Sequence, residues 1–245
     1  MNKYKFTAMK ENYEDYSSGR VIYGVPKATN FPVRLASEIF QRCSEYLTKK
    51  GKYSPYIVYD PLCGAGYTLT VLGFLHGSSI RTFFASDSDK KALEFASKNL
   101  ALLNTEGINN RIHELEKFIQ DYNKISHKEA LESAYRLKSK VISLSIKTKI
   151  FQFNILVDTN LPKPVSGIDL VIADVPYGKL TQWDDLKEES NPIKICLDKI
   201  KSRLSPVAIV AIILNKKQEI LHEGYSCIKK FKIGKRKIIL LEPKF

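Results

Sequence analysis

Residues 56–77 read YIVYDPLCGAGYTLTVLGFLHG, and this stretch decides the fold. Residues 56–59 have the short, apolar, aromatic and β-branched character of a strand, which runs into Asp60-Pro61-Leu62-Cys63-Gly64-Ala65-Gly66. That turn places glycine where a side chain would collide with backbone or with a bound ligand. Leu69, Leu72, Gly73 and Leu75 then suggest a helix. Strand, glycine turn and helix, in that order, open a nucleotide-binding βα unit.

Downstream, residues 80–85 form a second strand that closes in Asp87-Ser88-Asp89, and Leu93, Ala96, Leu100 and Leu103 give a helix over about 90–103. This alternation predicts an α/β fold with a parallel sheet. Helical spacing through Leu115, Phe118 and Ile119, then Ala130, Ala134 and Leu137, occupies a place where a connecting loop should be short. We read residues 111–146 as an insertion of two helices. Residues 150–157 are the next strand, 161–167 a loop, and 168–173 an apolar strand ending in Asp174-Val175-Pro176-Tyr177-Gly178. A helix over 193–204 leads to residues 207–214, the most apolar strand, expected to be central with helices on both faces. A shorter strand over 237–241 completes the sheet. Upstream, the first 30 residues are an extended lead-in. Asn30 caps a helix with Pro32 in its first turn and Leu35, Ile39, Cys43 and Leu47 on its buried face, and together these make up residues 1–50. One doubly wound domain over 1–245 accounts for the chain.

Composition narrows the classes. A chain of 245 residues, 44% hydrophobic, can bury a full core without disulfides. Cysteines 43, 63, 196 and 227 show no paired spacing, which favours a reducing compartment, and histidines 76, 113, 127 and 222 are isolated, so no tight metal-ligand cluster is visible. The first 20 residues are too polar for a signal peptide, and no apolar run approaches the roughly 20 residues a bilayer span requires. A soluble, cytoplasmic monomer that does not engage membranes is expected.

Net charge is +13, concentrated at both ends and in one internal segment: residues 194–245 carry thirteen bases against four acids, whereas residues 150–193 carry three against seven. A basic periphery around a less basic pocket suits a protein that grips a polyanion while working on one of its groups. By charge density alone, Arg34, Arg42, Lys138, Lys140, Lys216 and Lys217 are the RNA-binding candidates.

Three strand ends carry the chemistry. Gly64 and Gly66 let backbone amides approach a ligand, and Asp60 can meet a cationic group. Neither a third glycine nor a Walker lysine follows, so an adenylate ligand without a bridging pyrophosphate fits better than NAD. Asp87 is placed to accept hydrogen bonds from ribose hydroxyls, with Asp89 available to cap the following helix. Asp174, Pro176 and Tyr177 combine an acid, a rigid turn and an aromatic face, which can hold a planar base and accept a proton from its amino or imino group. Asp158, after the third strand, is a candidate for the adenine amino group.

In DPLCGAGY, ASDSD and IADVPYG the chain resembles the class I S-adenosylmethionine-dependent methyltransferases over residues 56–214. More narrowly, NFPVRLASEIFQRC, DPLCGAGYTLTVLGFLHG, SHKEALESAYRL and DVPYGKLTQW are similar to the avilamycin-resistance-type 23S rRNA guanine methyltransferases. The resemblance implies a Rossmann-like, mostly parallel sheet with an antiparallel C-terminal strand and two extra helices. It also implies S-adenosyl-L-methionine (AdoMet) as cofactor and 23S rRNA, or the large ribosomal subunit, as partner. Asp60, Pro61, Gly64 and Gly66 would then line the methionine side, Asp87 the ribose, and Asp174 to Tyr177 the target base. Val175 stands where amino methyltransferases commonly have a first proline, which leaves the methylated atom open. Methylation of another nucleic-acid base or of protein, and an inactive RNA-binding relative, are the alternatives.

Overall fold

Strands β1 (Tyr56–Asp60), β2 (Ile80–Asp87), β3 (Lys147–Gln152), β4 (Ile168–Asp174), β5 (Leu204–Asn215), β6 (Tyr225–Ile233) and β7 (Arg236–Pro243) pair in the order β3-β2-β1-β4-β5-β7-β6. The computed structural model describes residues 4–9, 11–25, 30–175, 191–215 and 218–245. The first five strands are mutually parallel, and β7 runs antiparallel to both β5 and β6. The expected α/β architecture is therefore present, with two strands where one was expected at the C-terminal end.

Alternation along the central strands sorts the core onto two faces. Leu170 and Ile172 of β4 and Ile209, Ala211 and Ile213 of β5 join one cluster with α1 (Val33–Lys49), α2 (Tyr67–His76) and α3 (Lys90–Ala101). Val171, Ala173, Val210, Ile212 and Leu214 join the other, with α6 (Pro192–Lys201) and the loop after β3. Because both faces are covered, β4 and β5 read as continuous apolar runs.

Several element bounds differ from the sequence expectations. The edge strand β6 is not expected from the sequence because lysines interrupt its alternation. Residues 153–157 are not strand: β3 stops at Gln152, and Asp158 caps the turn that follows by accepting from the Asn154 amide. The helix before β5 ends at Lys201, because Leu204 already belongs to the sheet. Pro32, not Asn30, occupies the N-cap of α1, with no side-chain cap bond.

Two helices lie between α3 and β3, α4 (Thr105–Tyr122) and α5 (Ile125–Val141). The first begins before residue 111 because Asn104 caps it, accepting from the Gly107 amide at 2.8 Å. Gly107 makes the elbow with α3 possible: a Cβ there would stand 2.0 Å from the Ala101 carbonyl oxygen. Gly107→Ala should therefore lower stability by about 2–3 kcal/mol despite alanine's better helix propensity. Denaturant unfolding checks this, and a neutral or stabilising result would refute the packing account.

The lead-in is not loosely extended. Tyr16, Val21 and Ile22 are buried, and Arg111 donates from Nε to the Val21 carbonyl and from Nη2 to the Arg20 carbonyl. Arg20 reaches Ser133 Oγ on α5 at 2.8 Å, and the Tyr67 hydroxyl donates to the Tyr16 carbonyl at 2.8 Å. The first segment of the chain thus lies across the inserted helices and the start of α2.

Candidate active site

The turn after β1 is held by its own backbone and by β2. Leu62 N–H donates to Asp60 Oδ1 at 3.0 Å, Cys63 N–H to the Ser86 carbonyl at 2.9 Å, and Gly66 N–H to the Cys63 carbonyl at 2.8 Å. Pro61 is buried, and its carbonyl accepts from Ser86 Oγ. Gly64 and Gly66 have φ of +51° and +70°, left-handed values that side chains resist. They serve differently. A Cβ on Gly66 would press to 3.2 Å on the Ala96 backbone, so this glycine brings α3 close to the turn. A Cβ on Gly64 would meet nothing within 4 Å, which leaves open space above the turn.

Asp87, at the end of β2, holds the turn from its side. Its Oδ2 accepts from the Gly64 amide at 2.8 Å and its Oδ1 from the Asp89 amide at 3.0 Å. Asp89 instead caps α3, accepting from the Lys91 amide at 2.8 Å. Asp89 thus takes the capping task, and the Asp87 carboxylate is held on the glycine turn.

Sheet register brings Asp174 to the same rim. Asp60 pairs with Ala85 of β2, Val58 pairs with Leu170 of β4, and Asp174 lies beside Ile213 of β5. The electrostatics agree. Burial raises the Asp60 carboxyl to about 8, and the charges of Asp87 and Asp174 push it in the same direction, against the Leu62 hydrogen bond. Asp87 is also raised, first by burial, although amides of Asp89 and Gly64 pull it back. Three carboxyl groups thus converge on one side of a glycine turn, an arrangement that favours a cationic ligand with hydroxyl donors.

Such a carboxyl makes the ligand-free protein pH-sensitive. Asp60 keeps its proton in the native state between its ordinary value of 3.8 and about 8, whereas the unfolded chain loses it. Its contribution to stability is therefore present at low pH and lost as pH rises through that window. Asp60→Asn keeps the acceptor for Leu62 and removes the titration. The variant should match wild type near pH 4 and exceed it by roughly 2–4 kcal/mol at pH 8. Thermal unfolding across this range reads the difference, and a pH-independent gap would contradict it.

Other candidates lie elsewhere. Asp158 is exposed, its carboxylate on the Asn154 amide and its carbonyl accepting from Lys199 Nζ at 2.6 Å. Pro176, Tyr177, Lys216 and Lys217 lie outside the described residues. Arg34 donates to the Thr7 and Ala8 carbonyls and stacks on Tyr4, 3.9 Å from the ring centroid. Arg42 pairs with the fully buried Glu38 at 2.7 Å and stacks on Phe231. Both arginines, nominated by charge density, make contacts within the chain: Arg34 does so at the edge of an open groove beside Tyr13, and Arg42 does so on Glu38, which also accepts from the amides of Lys5, Phe6 and Thr7. Lys138 and Lys140 lie in the last turn of α5, Lys140 exposed and Lys138 partly so. Among the described residues, no group of three histidine, cysteine, aspartate or glutamate side chains is placed to hold a metal ion.

Asn99 went unrecognised. Buried on α3, it donates to the Ala65 carbonyl at 2.9 Å and exchanges two hydrogen bonds with the Tyr23 backbone. It locks the glycine turn to the lead-in. An amide on the otherwise apolar face of α3 is the signal that marks it.

The family model for the rRNA methyltransferase AviRa matches residues 1–236. The chain belongs to the AviRa family. Within it, the 23S rRNA (guanine(2535)-N(1))-methyltransferase of Streptomyces viridochromogenes is 33% identical over an alignment of 253 residues, covering 98% of this chain and 96% of the relative. A solved structure of the AviRa rRNA methyltransferase from the same organism superposes with a TM-score of 0.83 at 32% identity, over 97% of this chain and 95% of that one. The Escherichia coli putative methyltransferase YhhF, at 11% identity, 91% coverage of each chain and TM-score 0.51, shares the fold.

Proposed function

We propose that this chain transfers a methyl group from AdoMet to a guanine nitrogen of 23S rRNA, with N1 as the acceptor in line with its Streptomyces relative. The convergence of Asp60, Asp87 and Asp174 around the Gly64–Gly66 turn carries this reading. AdoMet fits that donor set: its ammonium and sulfonium are cations and its ribose offers two hydroxyl donors, while the open space at Gly64 admits a ligand against the turn. Bound AdoMet supplies an electrophilic methyl group on sulfur.

The remaining work falls to the chain. Asp60 meets positive charge on the methionine side and ionises as it does so. Asp87 accepts from the ribose hydroxyls, and Pro61, Gly64 and Gly66 shape the wall. Asp158 remains the candidate for the adenine amino group through its turn after β3. Asp174 accepts the N1 proton of guanine at a carboxylate oxygen, so that the N1 electron pair points at the methyl group. Pro176 and Tyr177 clamp a base that has left its stack. Lys138 and Lys140 contact the RNA backbone, as do Lys216 and Lys217. The enzyme works as a cytoplasmic monomer; among the described residues no helix is long and apolar enough to cross a membrane.

Incubation with labelled AdoMet and unmodified 23S rRNA should place label on one guanosine and block reverse transcription there, because N1 methylation occupies the pairing edge. Label on protein or on DNA, or no transfer at all, would overturn the reading.

A further inference from the structure

Residues 229–237 read KKFKIGKRK, six bases and no acid in nine residues. They form the end of β6, its turn, and the start of β7. Lys229, Lys230, Lys232 and Lys235 are exposed, Arg236 is half-buried and Lys237 is buried. Among the described residues, one carboxylate is in ion-pair reach of this group: Glu219, 2.5 Å from Lys237 and 3.8 Å from Lys230. The other four bases make no ion pair among the described residues.

Lysines on an edge strand can simply discourage strand pairing with another molecule. The opposite edge, β3, shows that use with exposed Lys147 and Lys149. It does not explain Lys235 and Arg236, which lie at the hairpin turn. Arg236 pairs in register with Asn215, the last residue of β5, and so stands on the rim that carries Asp174. Its guanidinium lies 5.1 Å from the Phe31 ring centroid. Phe31 in turn lines an open groove of about 600 Å³ with Tyr13, Pro32 and Tyr67, and Tyr67 immediately follows Gly66. An aromatic-lined groove therefore lies between the residue that follows the glycine turn and the ring on which Arg236 sits.

We propose that the β6–β7 hairpin holds the phosphate backbone of the RNA substrate, with Arg236, stacked on Phe31, as the positioning residue at the rim beside Asp174. The proposal rests on the rRNA methyltransferase reading above. RNA is the occupant that matches the charge, since each phosphate neutralised by a lysine or arginine releases a condensed counterion. A guanidinium fixed on an aromatic ring directs its donors without losing much freedom on binding.

The test is the triple variant K232Q/K235Q/R236Q, which leaves the Lys237–Glu219 pair intact, with K147Q/K149Q on the other edge as control. In vitro transcribed 23S rRNA is the probe. The triple variant should bind it at least about tenfold more weakly at 150 mM salt, with the slope of log affinity against log salt reduced by about two. KM for RNA should rise with kcat and AdoMet affinity near wild type, and the control should stay within about twofold. Unchanged RNA affinity and slope in the triple variant, with normal methylation, would overturn the proposal and leave the methyltransferase reading standing. Equal losses in triple variant and control would overturn it too. Failure of the wild-type protein to bind or methylate 23S rRNA would remove the underlying reading, and this proposal with it.

Discussion

Asp174→Ala is expected to slow methyl transfer by about two to four orders of magnitude while AdoMet affinity stays within about threefold of wild type. The residue ends β4 on the acidic rim, and its charge is felt at buried Asp60. Guanine N1 carries a proton that must leave as the N–C bond forms, and no other carboxyl at that strand end is placed to receive it among the described residues. Removing Asp174 also removes a negative charge that raises Asp60, so the variant should be at least as stable as wild type at pH 8. That combination separates lost chemistry from lost fold. Asp174→Asn refines it: an amide oxygen still accepts a hydrogen bond but cannot take the proton. Single-turnover rates with saturating AdoMet and rRNA provide the readout, and an alanine variant within about threefold of wild type would exclude Asp174 from the reaction.

Asp87→Ala should weaken AdoMet by about 10–100-fold, the effect of losing one or two charge-assisted hydrogen bonds in a partly buried site. Two losses combine here. The carboxylate would no longer meet the ribose, and the Gly64 amide would lose its acceptor at 2.8 Å. Because Asp60 is raised in part by Asp87, the variant's Asp60 should ionise at lower pH, flattening the decline in stability of the ligand-free protein above pH 6. Calorimetric titration with AdoMet and with adenosine tests the ribose contact directly. Equal AdoMet affinity in variant and wild type would reassign Asp87 to turn architecture alone.

The elements that could be read from sequence were those whose burial leaves a periodic trace. β1, β2, β4 and β5 announce themselves as apolar runs stopping at Asp60, Asp87, Asp174 and Asn215, because both faces of the inner strands are covered. Ala130, Ala134 and Leu137 do the same for α5. β6 left no such trace, since one face bears lysines and the strand is an edge. The start of α4 was hidden for another reason: Gly107 reads as a helix breaker, yet it sits where the backbone of α3 passes too closely for any side chain. At the rim, the acids and glycines were recognisable by order and spacing. Asn99 was not, because its partners at Tyr23 and Ala65 are far away in the chain. Arg34 and Arg42 show what a count of charges leaves out, namely that one guanidinium is bonded to backbone carbonyls and the other to a buried glutamate.

The lead-in that crosses α5 has a consequence for the order in which the chain is built. Asp15 meets Arg136 across 121 positions, and Arg20 meets Ser133 across 113. On a translating ribosome, those early residues leave the exit tunnel long before their docking partners have been synthesised. The glycine turn acquires its brace only when Tyr23 meets Asn99, so a nascent chain halted before α3 emerges would carry β1 and its turn unbraced, and one halted before α5 would lack the contacts that pin Asp15 and Arg20.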